Sequence, residues 1–482
     1  MEVVVIVPKV YNSINNTPSR WTIFPVEPAS VATALKLSGH AVTGIDLNLL
    51  PQPTDAALEA NIKAIQPDVA VFIPQWLGRY DMKAIDPTSF DTVQRAAPSC
   101  IRINTGVQAT LYPGMELNSG VSFEYGLRGE VEDTLVALLN TIAIGGNVKA
   151  IPGLFYASGD THFISDKIPS FDLSRMEAVD ELIFPRRNYL HRLERGNFRY
   201  PRDGQPLTYT QTSRGCHYKC RFCSVIYLRN YSFRQKRLDV IFSEIENGIA
   251  AGAKEIHFLD ELFGRNREFL LQFCTEIERR GLKFNWFATC GLPLGYLDLE
   301  LLKRLEKSGM YRVKIPFESA SPRVLNKLLK KPNTVSQGWE VARAVKQTGL
   351  ESIAAFLVGM PGESKEEMAQ TVAMAHDIDF DYTLFSIATP MGGSQLESEV
   401  LEQGLASRQE IREKIRGDSV FFETDELKER DLFEVRWKIW SDINFASRAK
   451  TRKIAKMFGI SENEAASMGL VARQRFQQYD TI

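Results

Sequence analysis

Three of the six cysteines fall within eight residues of one another: Cys216, Cys220 and Cys223, in "TSRGCHYKCRFCSV" (212–225). Purely structural zinc sites use four donors, usually as two pairs. No second C-x2-C pair exists in the chain, and Cys100, Cys274 and Cys290 stand alone. A distant cysteine or His217 could still complete a zinc knuckle. Three thiolates can instead hold three irons of a cubane cluster, leaving the fourth iron open to a substrate or cofactor. Arg214, Lys219 and Arg221 flank the cysteines. They would raise the potential of an anionic cluster, or form an ordinary solvated basic loop.

The elements around this loop read as a series of βα steps. "LTYTQTS" (207–213) is a strand running into the cysteines, and strands follow at 255–260, 284–289, 312–319, 352–359 and 382–390. Helices between them carry recognisable starts: Ser321 with Pro322, and the capping-box pairs Thr334/Gln337 and Ser364/Glu367. Six such steps fall short of the eight of a closed barrel. The unit is expected over 206–395, with a charged helical cap over 396–482. There, basic and aromatic residues interleave at 433–458, either to contact nucleic acid or, the reading preferred at this net charge, to pack Trp437 and Trp440 on the barrel.

Residues 1–145 also alternate. Apolar strands at 3–7, 40–47, 68–73, 100–106 and 123–127 are separated by helices at 27–39 and 55–65, and a helix at 130–143 closes the unit. Such an alternation predicts a doubly wound sheet, whose ligands sit beyond the carboxyl ends of the strands, here at loops 8–26 and 104–114. Residues 146–205, with four prolines, are expected to be a linker with perhaps one short helix. The 482 residues suit two or three domains, and the net charge of -1 implies no global attraction to nucleic acid or anionic membrane. No apolar stretch is long enough to span a bilayer and the N-terminus lacks a basic leader, so a cytoplasmic protein is expected.

The cysteine spacing, with aromatic Phe222 before the last cysteine, resembles the radical S-adenosylmethionine (SAM) superfamily. The resemblance implies a partial (β/α)6 barrel, a [4Fe-4S] cluster on Cys216, Cys220 and Cys223, and SAM on the open iron. One electron, from a donor such as flavodoxin or ferredoxin, would release a 5'-deoxyadenosyl radical. Within "HFLDELF" (257–263), Asp260 and Glu261 would meet the methionyl ammonium. In "PFESAS" (316–321), Glu318 or Ser319 would meet the ribose or methionyl group. Gly359 and Gly362 of "FLVGMPGES" (356–364) would lie by the adenine. His217 and Tyr218 either point into the barrel mouth as acid, base or hydrogen donor, or pack the loop.

"SGHAVTGIDLN" (38–48), "YGLRGEVEDTLVALL" (125–139) and "IPGLFY" (151–156) resemble the cobalamin-binding, Rossmann/flavodoxin-like domain fused to many members of that superfamily. The D-x-H-x-x-G signature is absent, His40 reads as a turn residue, and "NTGVQAT" (104–110) stands where a Gly-Gly pair is common. Thr105, Gly106, Ala109 and Gly114 would allow close approach of a corrin, and Trp21 a flat contact. The expected activity is methyl transfer to an unactivated carbon of a small-molecule or natural-product intermediate. The alternatives are a cobalamin-free radical dehydratase, rearrangement or cyclisation enzyme with a degenerate cobalamin-like domain, and, remotely, a non-catalytic iron-sulfur protein.

Overall fold

The computed structural model describes residues 1–9, 22–75, 87–193, 195–414, 420–424 and 426–480. They form two compact units, one of residues 1–192, 209–215 and 225–251, the other of 193–208, 216–224 and 252–482.

The first unit is built on strands β1 (Glu2–Val7), β2 (Ala41–Asp46), β3 (Val69–Phe72), β4 (Ile101–Asn104), β5 (Tyr125–Leu127), β6 (Leu154–Ser158) and β7 (Thr161–Ile164). Their order is β2-β1-β3-β4-β5-β6-β7, parallel as far as β5 and antiparallel from β5 to β7. The unbroken apolar run of β1 follows from burial on both faces. Val4 and Ile6 pack with Ala70, Phe72, Leu58, Ile62, Phe90 and Val93, under helices Thr54–Ile65 and Pro87–Ala96. Helices Val26–Leu37 and Glu132–Ala143 lie against each other. The sheet is thus doubly wound as expected.

Residues 146–205 differ from the linker expected of them. They contain the β6–β7 hairpin that finishes the sheet, and only short turns follow it, such as Leu173–Arg175 and Arg186–Asn188. The two strands are five and four residues long and largely exposed, too short to establish a period of two in sequence. β8 (Leu207–Thr210) contributes residues to both units, while β9 (Ser213–Gly215) and β10 (Phe233–Gln235) pair antiparallel within the first.

The second unit carries β11 (Glu255–Phe258), β12 (Asn285–Ala288), β13 (Arg312–Glu318), β14 (Glu351–Val358) and β15 (Tyr382–Ile387). β11 pairs parallel with β12, and β13, β14 and β15 pair parallel in turn. Trp286 bridges Met310 in the same sense, and β8 enters beside β11, where Lys254 and Glu255 amides donate to Pro206. With β8 this makes the six strands of a partial barrel. Its faces follow the alternation. Phe258 and Trp286 cluster with Phe263 and Phe273, and Phe317 stacks on Phe356 and meets Phe380. Val313, Ile315 and Phe317 are buried on that helix-covered side, so Lys314, Pro316 and Glu318 face the lumen. Both capping boxes form, at Thr334/Gln337 and Ser364/Glu367. Ser321 caps its turn through the Val324 amide, but the segment winds as a π-turn over Val324–Leu328.

Beyond β15 the described elements are all helices, from Gln395–Glu402 to Glu462–Asp480. Trp440 is buried edge-on to Tyr382 of β15. Trp437 differs from its expected place against the barrel, because Arg436 and Arg475 cover its ring at 4.8 and 4.9 Å. Among the described residues no helix is long and apolar enough to cross a membrane.

Candidate active site

The three cysteines lie on one short loop. Cys220 is buried, and Cys216 and Cys223 are half-buried. The loop is held by its own backbone: the Tyr218 amide donates to the Cys216 thiol at 3.4 Å and the Cys223 amide to the Cys220 carbonyl. It is pinned from outside by the Arg221 amide on the Leu329 carbonyl and the Leu396 amide on the Arg221 carbonyl. Among the described residues no three His, Cys, Asp or Glu side chains converge on a point that would hold a single ion. A cubane needs no such convergence, because each thiolate meets its own corner iron. Burial pushes the Cys216 and Cys220 thiols up, Cys220 to about 12, while the Lys331 ammonium favours both thiolates. The donor set therefore fits three corners of a [4Fe-4S] cluster.

Lys331 is a residue that motif reading missed. Only 7% exposed, it places Nζ 2.6 Å from the Glu318 carboxylate. Glu318 has a left-handed backbone (φ 67°) at a register shift after Pro316. Such strain persists where the surroundings hold it, and the ion pair is one such constraint. The Ser319 hydroxyl, expected to serve a ligand, is committed instead to Thr371 at 3.1 Å and to the Ser321 amide. Of that segment, Glu318 is the group that stays with the lumen. Asp260, buried, and Glu261, half-buried, follow β11 directly. Phe222 is half-buried within the cysteine loop.

The glycine turn after β14 is organised by Glu363, a second residue without a sequence signal of its own. Its carboxylate accepts the Gly359 and Met360 amides at 2.6 and 3.1 Å, and among the described residues its other oxygen is buried without a partner. Burial raises this carboxyl to about 7, against the pull of those two amides. Gly359 (φ 82°) packs so closely that a Cβ would lie 2.8 Å from Leu432, whereas at Gly362 (φ 90°) the nearest atom is 3.7 Å away. Backbone at Gly362 is thus open to a flat ligand.

His217 is exposed and Tyr218 half-buried, their rings 4.4 Å apart. Burial, and charge from Cys216, raise the Tyr218 phenol, so it stays protonated beside the cysteines. The basic flank resolves into separate roles. Arg221 is paired with Glu399, and Lys219 is exposed. Arg214, expected among the cations that tune a cluster, is buried against Glu132 at 2.8 Å and Glu130 at 3.6 Å. Its charge is neutralised within its own unit.

At the carboxyl edge of the N-terminal sheet, the expected corrin contacts divide. Trp21, with most of loop 8–26, lies outside the described residues. Thr105 gives its hydroxyl to the Phe72 carbonyl at 2.8 Å, and Gly106 (φ 102°) is needed because a Cβ would lie 2.9 Å from Pro74. Ala109 is fully buried core. These three shape the loop through those contacts. Sequence reasoning missed Gln108, whose amide nitrogen and oxygen are both buried without a partner among the described residues, and Asn104, whose Oδ1 is likewise orphaned while its Nδ2 donates to Glu116 at 2.9 Å. Orphaned buried amides are rare and call for a ligand or water. A corrin rimmed with amides fits them. His40 stands at the opposite, amino edge, where Ala41 pairs with Glu2 at the strand starts, so it does not reach this site.

Comparison with known proteins accords with this geometry. Residues 210–375 match the Radical SAM superfamily model. The chain is 27% identical over 358 residues to an uncharacterized methyltransferase of Pyrococcus horikoshii, covering 74% of each protein. It is 25% identical over 415 residues to the anaerobic magnesium-protoporphyrin IX monomethyl ester cyclase of Cereibacter sphaeroides, covering 84% of this chain and 64% of that one. The radical SAM methyltransferase TsrM from Kitasatospora setae, solved with cobalamin and a [4Fe-4S] cluster, superposes with a TM-score of 0.66 at 19% identity, over 85% of this chain and 79% of that one. The likeness to TsrM is one of fold. The cysteine loop and most of the partial barrel that carries it thus lie within the stretch, residues 210–375, that matches the Radical SAM superfamily model.

Proposed function

We propose that the protein is a cobalamin-dependent radical SAM methyltransferase acting on an unactivated carbon of a small-molecule intermediate, with a flavodoxin- or ferredoxin-type electron donor. The observation that carries the reading is the three-cysteine loop held beside the Lys331–Glu318 pair. When bound, the cluster, SAM and cobalamin supply a radical at the substrate carbon and a methyl group to meet it. The chain's own residues bind and orient. Cys216, Cys220 and Cys223 hold the cluster. Asp260, Glu261 and Glu318 offer carboxylates to the SAM ammonium and ribose, and the turn at Gly359 and Gly362, held by Glu363, offers backbone to the adenine. Gln108 and Asn104 offer amides to the corrin rim. Tyr218, protonated at neutral pH, is the group able to donate a proton or hydrogen atom near the cluster.

The test is anaerobic reconstitution with hydroxocobalamin, followed by gel filtration and turnover. One corrin per chain, with S-adenosylhomocysteine and 5'-deoxyadenosine both formed, is the expected result. An empty domain with 5'-deoxyadenosine as the only cleavage product favours a second reading, a cobalamin-free radical cyclase, dehydratase or rearrangement enzyme. That reading draws support from Thr105 and Gly106, both committed to protein contacts, and from the similarity to a cyclase.

A further inference from the structure

Lys314, on β13 of the barrel, has surroundings that do not balance its charge. In the same unit Lys331 holds the Glu318 carboxylate and Arg312 that of Glu351 at 2.6 Å each. Among the described residues no carboxylate lies within ion-pair distance of Lys314. Its Nζ lies over the Phe198 ring, 5.2 Å from the centroid, and the Arg199 guanidinium lies near the same ring at 5.6 Å. Burial drives the ammonium towards its neutral form, and Arg199 and Lys331 add like charge; the Cys290 thiol and Glu318 oppose them. An ammonium held this way, with a second cation near it, is stabilised by an incoming anion.

The place of Lys314 suits a substrate. It projects on the lumen face of β13, opposite to the side on which Phe317 meets the helices. Phe258 of β11 pairs with Ala288 of β12, and just beyond, the Leu292 amide donates to the Lys314 carbonyl at 3.2 Å. Lys314 therefore stands level with the carboxyl ends of β11 and β12, where Asp260, Glu261 and Cys290 follow. Reacting groups gather at that end of such barrels.

We propose that Lys314, with Cys290 beside it and Phe198 against it, forms an anion subsite in the barrel lumen that takes a carboxylate or phosphoryl group of the substrate. The inference rests on the radical reaction proposed above and adds to it a substrate class: a small anionic molecule.

Cys290 supplies a probe that needs no substrate and no turnover. The reconstituted protein, saturated with SAM, is alkylated with iodoacetamide, and the rate at Cys290 is followed by peptide mass spectrometry. Acetate or methylphosphonate is titrated against chloride at equal ionic strength. Saturable protection of five-fold or more by one of them is expected, and the more effective anion names the group. Protection should persist in Lys314→Arg and vanish in Lys314→Met. Equal rates in acetate, methylphosphonate and chloride, in a protein that retains its cluster and cleaves SAM, overturn the subsite and leave the proposed reaction standing. Protection that survives in Lys314→Met also overturns it. A protein that assembles no cluster overturns the proposed reaction and the subsite with it. Should Lys314→Met fail to fold, the anion dependence of the unaltered protein and of Lys314→Arg decides.

Discussion

Around β9 and β10, three guanidiniums meet three carboxylates. Arg214 contacts Glu130 and Glu132, Arg229 contacts Glu27 and Glu130, and Arg234 contacts Glu130. Burial alone would raise the Glu130 carboxyl; the guanidiniums of Arg214, Arg229 and Arg234 outweigh it and hold it below the usual carboxylate range. In the barrel lumen Lys331 pairs with Glu318, Lys314 has no carboxylate within ion-pair distance among the described residues, and both stand near cysteines. Buried charge that the protein balances itself fixes structure. Buried charge or polarity left unbalanced marks where a ligand completes the site. The same segment, 212–223, shows both, with Arg214 in the first class and the cysteines in the second.

The comparison breaks first at the cysteines, where the effect is all or none. Reconstituted anaerobically, the protein should carry about four irons and four sulfides and show broad visible absorbance. Cys216→Ala, Cys220→Ala or Cys223→Ala should abolish it. Cys100→Ala and Cys274→Ala remove buried core thiols, and Cys290→Ala a lumen thiol; all three should keep the cluster. Iron analysis and absorbance decide, and zinc in place of iron would end the cluster reading.

Next comes stability. Arg214→Ala leaves Glu130 and Glu132 buried beside one guanidinium fewer, and losing one partner of a buried pair costs about 3–5 kcal/mol. Lys314→Met leaves no such orphan and should shift unfolding by less than about 1 kcal/mol. Denaturant titration, following each unit's transition separately, measures both. Equal losses would remove the distinction between the two environments.

Glu363 gives a pH test of a partly balanced group. Its folded carboxyl is raised to about 7 by burial, above the ordinary 4.5. A raised group contributes stability that is fully present below the unfolded pKa and is lost as pH rises through the folded one. Relative to Glu363→Gln, which does not titrate, the protein should therefore lose stability between pH 4.5 and about 7 and run parallel above. At about 1.4 kcal/mol per pKa unit the swing approaches roughly 3 kcal/mol. Parallel curves throughout would place the carboxyl at its ordinary value.

What was legible in the sequence was what local chemistry decides. The strands β1 to β5, the barrel strands, the capping boxes at Thr334 and Ser364 and the cysteine loop each announce themselves within a dozen residues. Pairings across the chain were not legible. Arg234 meets Glu130 across 104 positions, and nothing beside Arg214 signals that its charge is already matched. Lys331 follows the π-turn after β13 in an unremarkable "KKPN", and only the fold brings it to Glu318. Nor does chain order reveal that 209–215 and 225–251 cluster with the N-terminal unit while 216–224 clusters with the barrel.

The smallest effect is expected at Gln108, and it bears on cobalamin directly. Among the described residues both polar atoms of its amide are buried without a partner, and Asn104 Oδ1 near the same strand end is orphaned too. A buried polar group without a partner costs about 1–3 kcal/mol. Gln108→Met removes that cost with little change of volume, so the corrin-free protein should become more stable, by about 1 kcal/mol once relaxation is allowed. If the amide serves a corrin, the same change should weaken retention of hydroxocobalamin on gel filtration by about tenfold, the equivalent of one lost hydrogen bond of about 1.4 kcal/mol. The two shifts have opposite signs, which a merely structural glutamine does not produce. A Gln108→Met protein that is less stable without corrin, and that retains corrin as the parent does, would assign the amide to the fold and move the N-terminal sheet into the balanced class with Arg214.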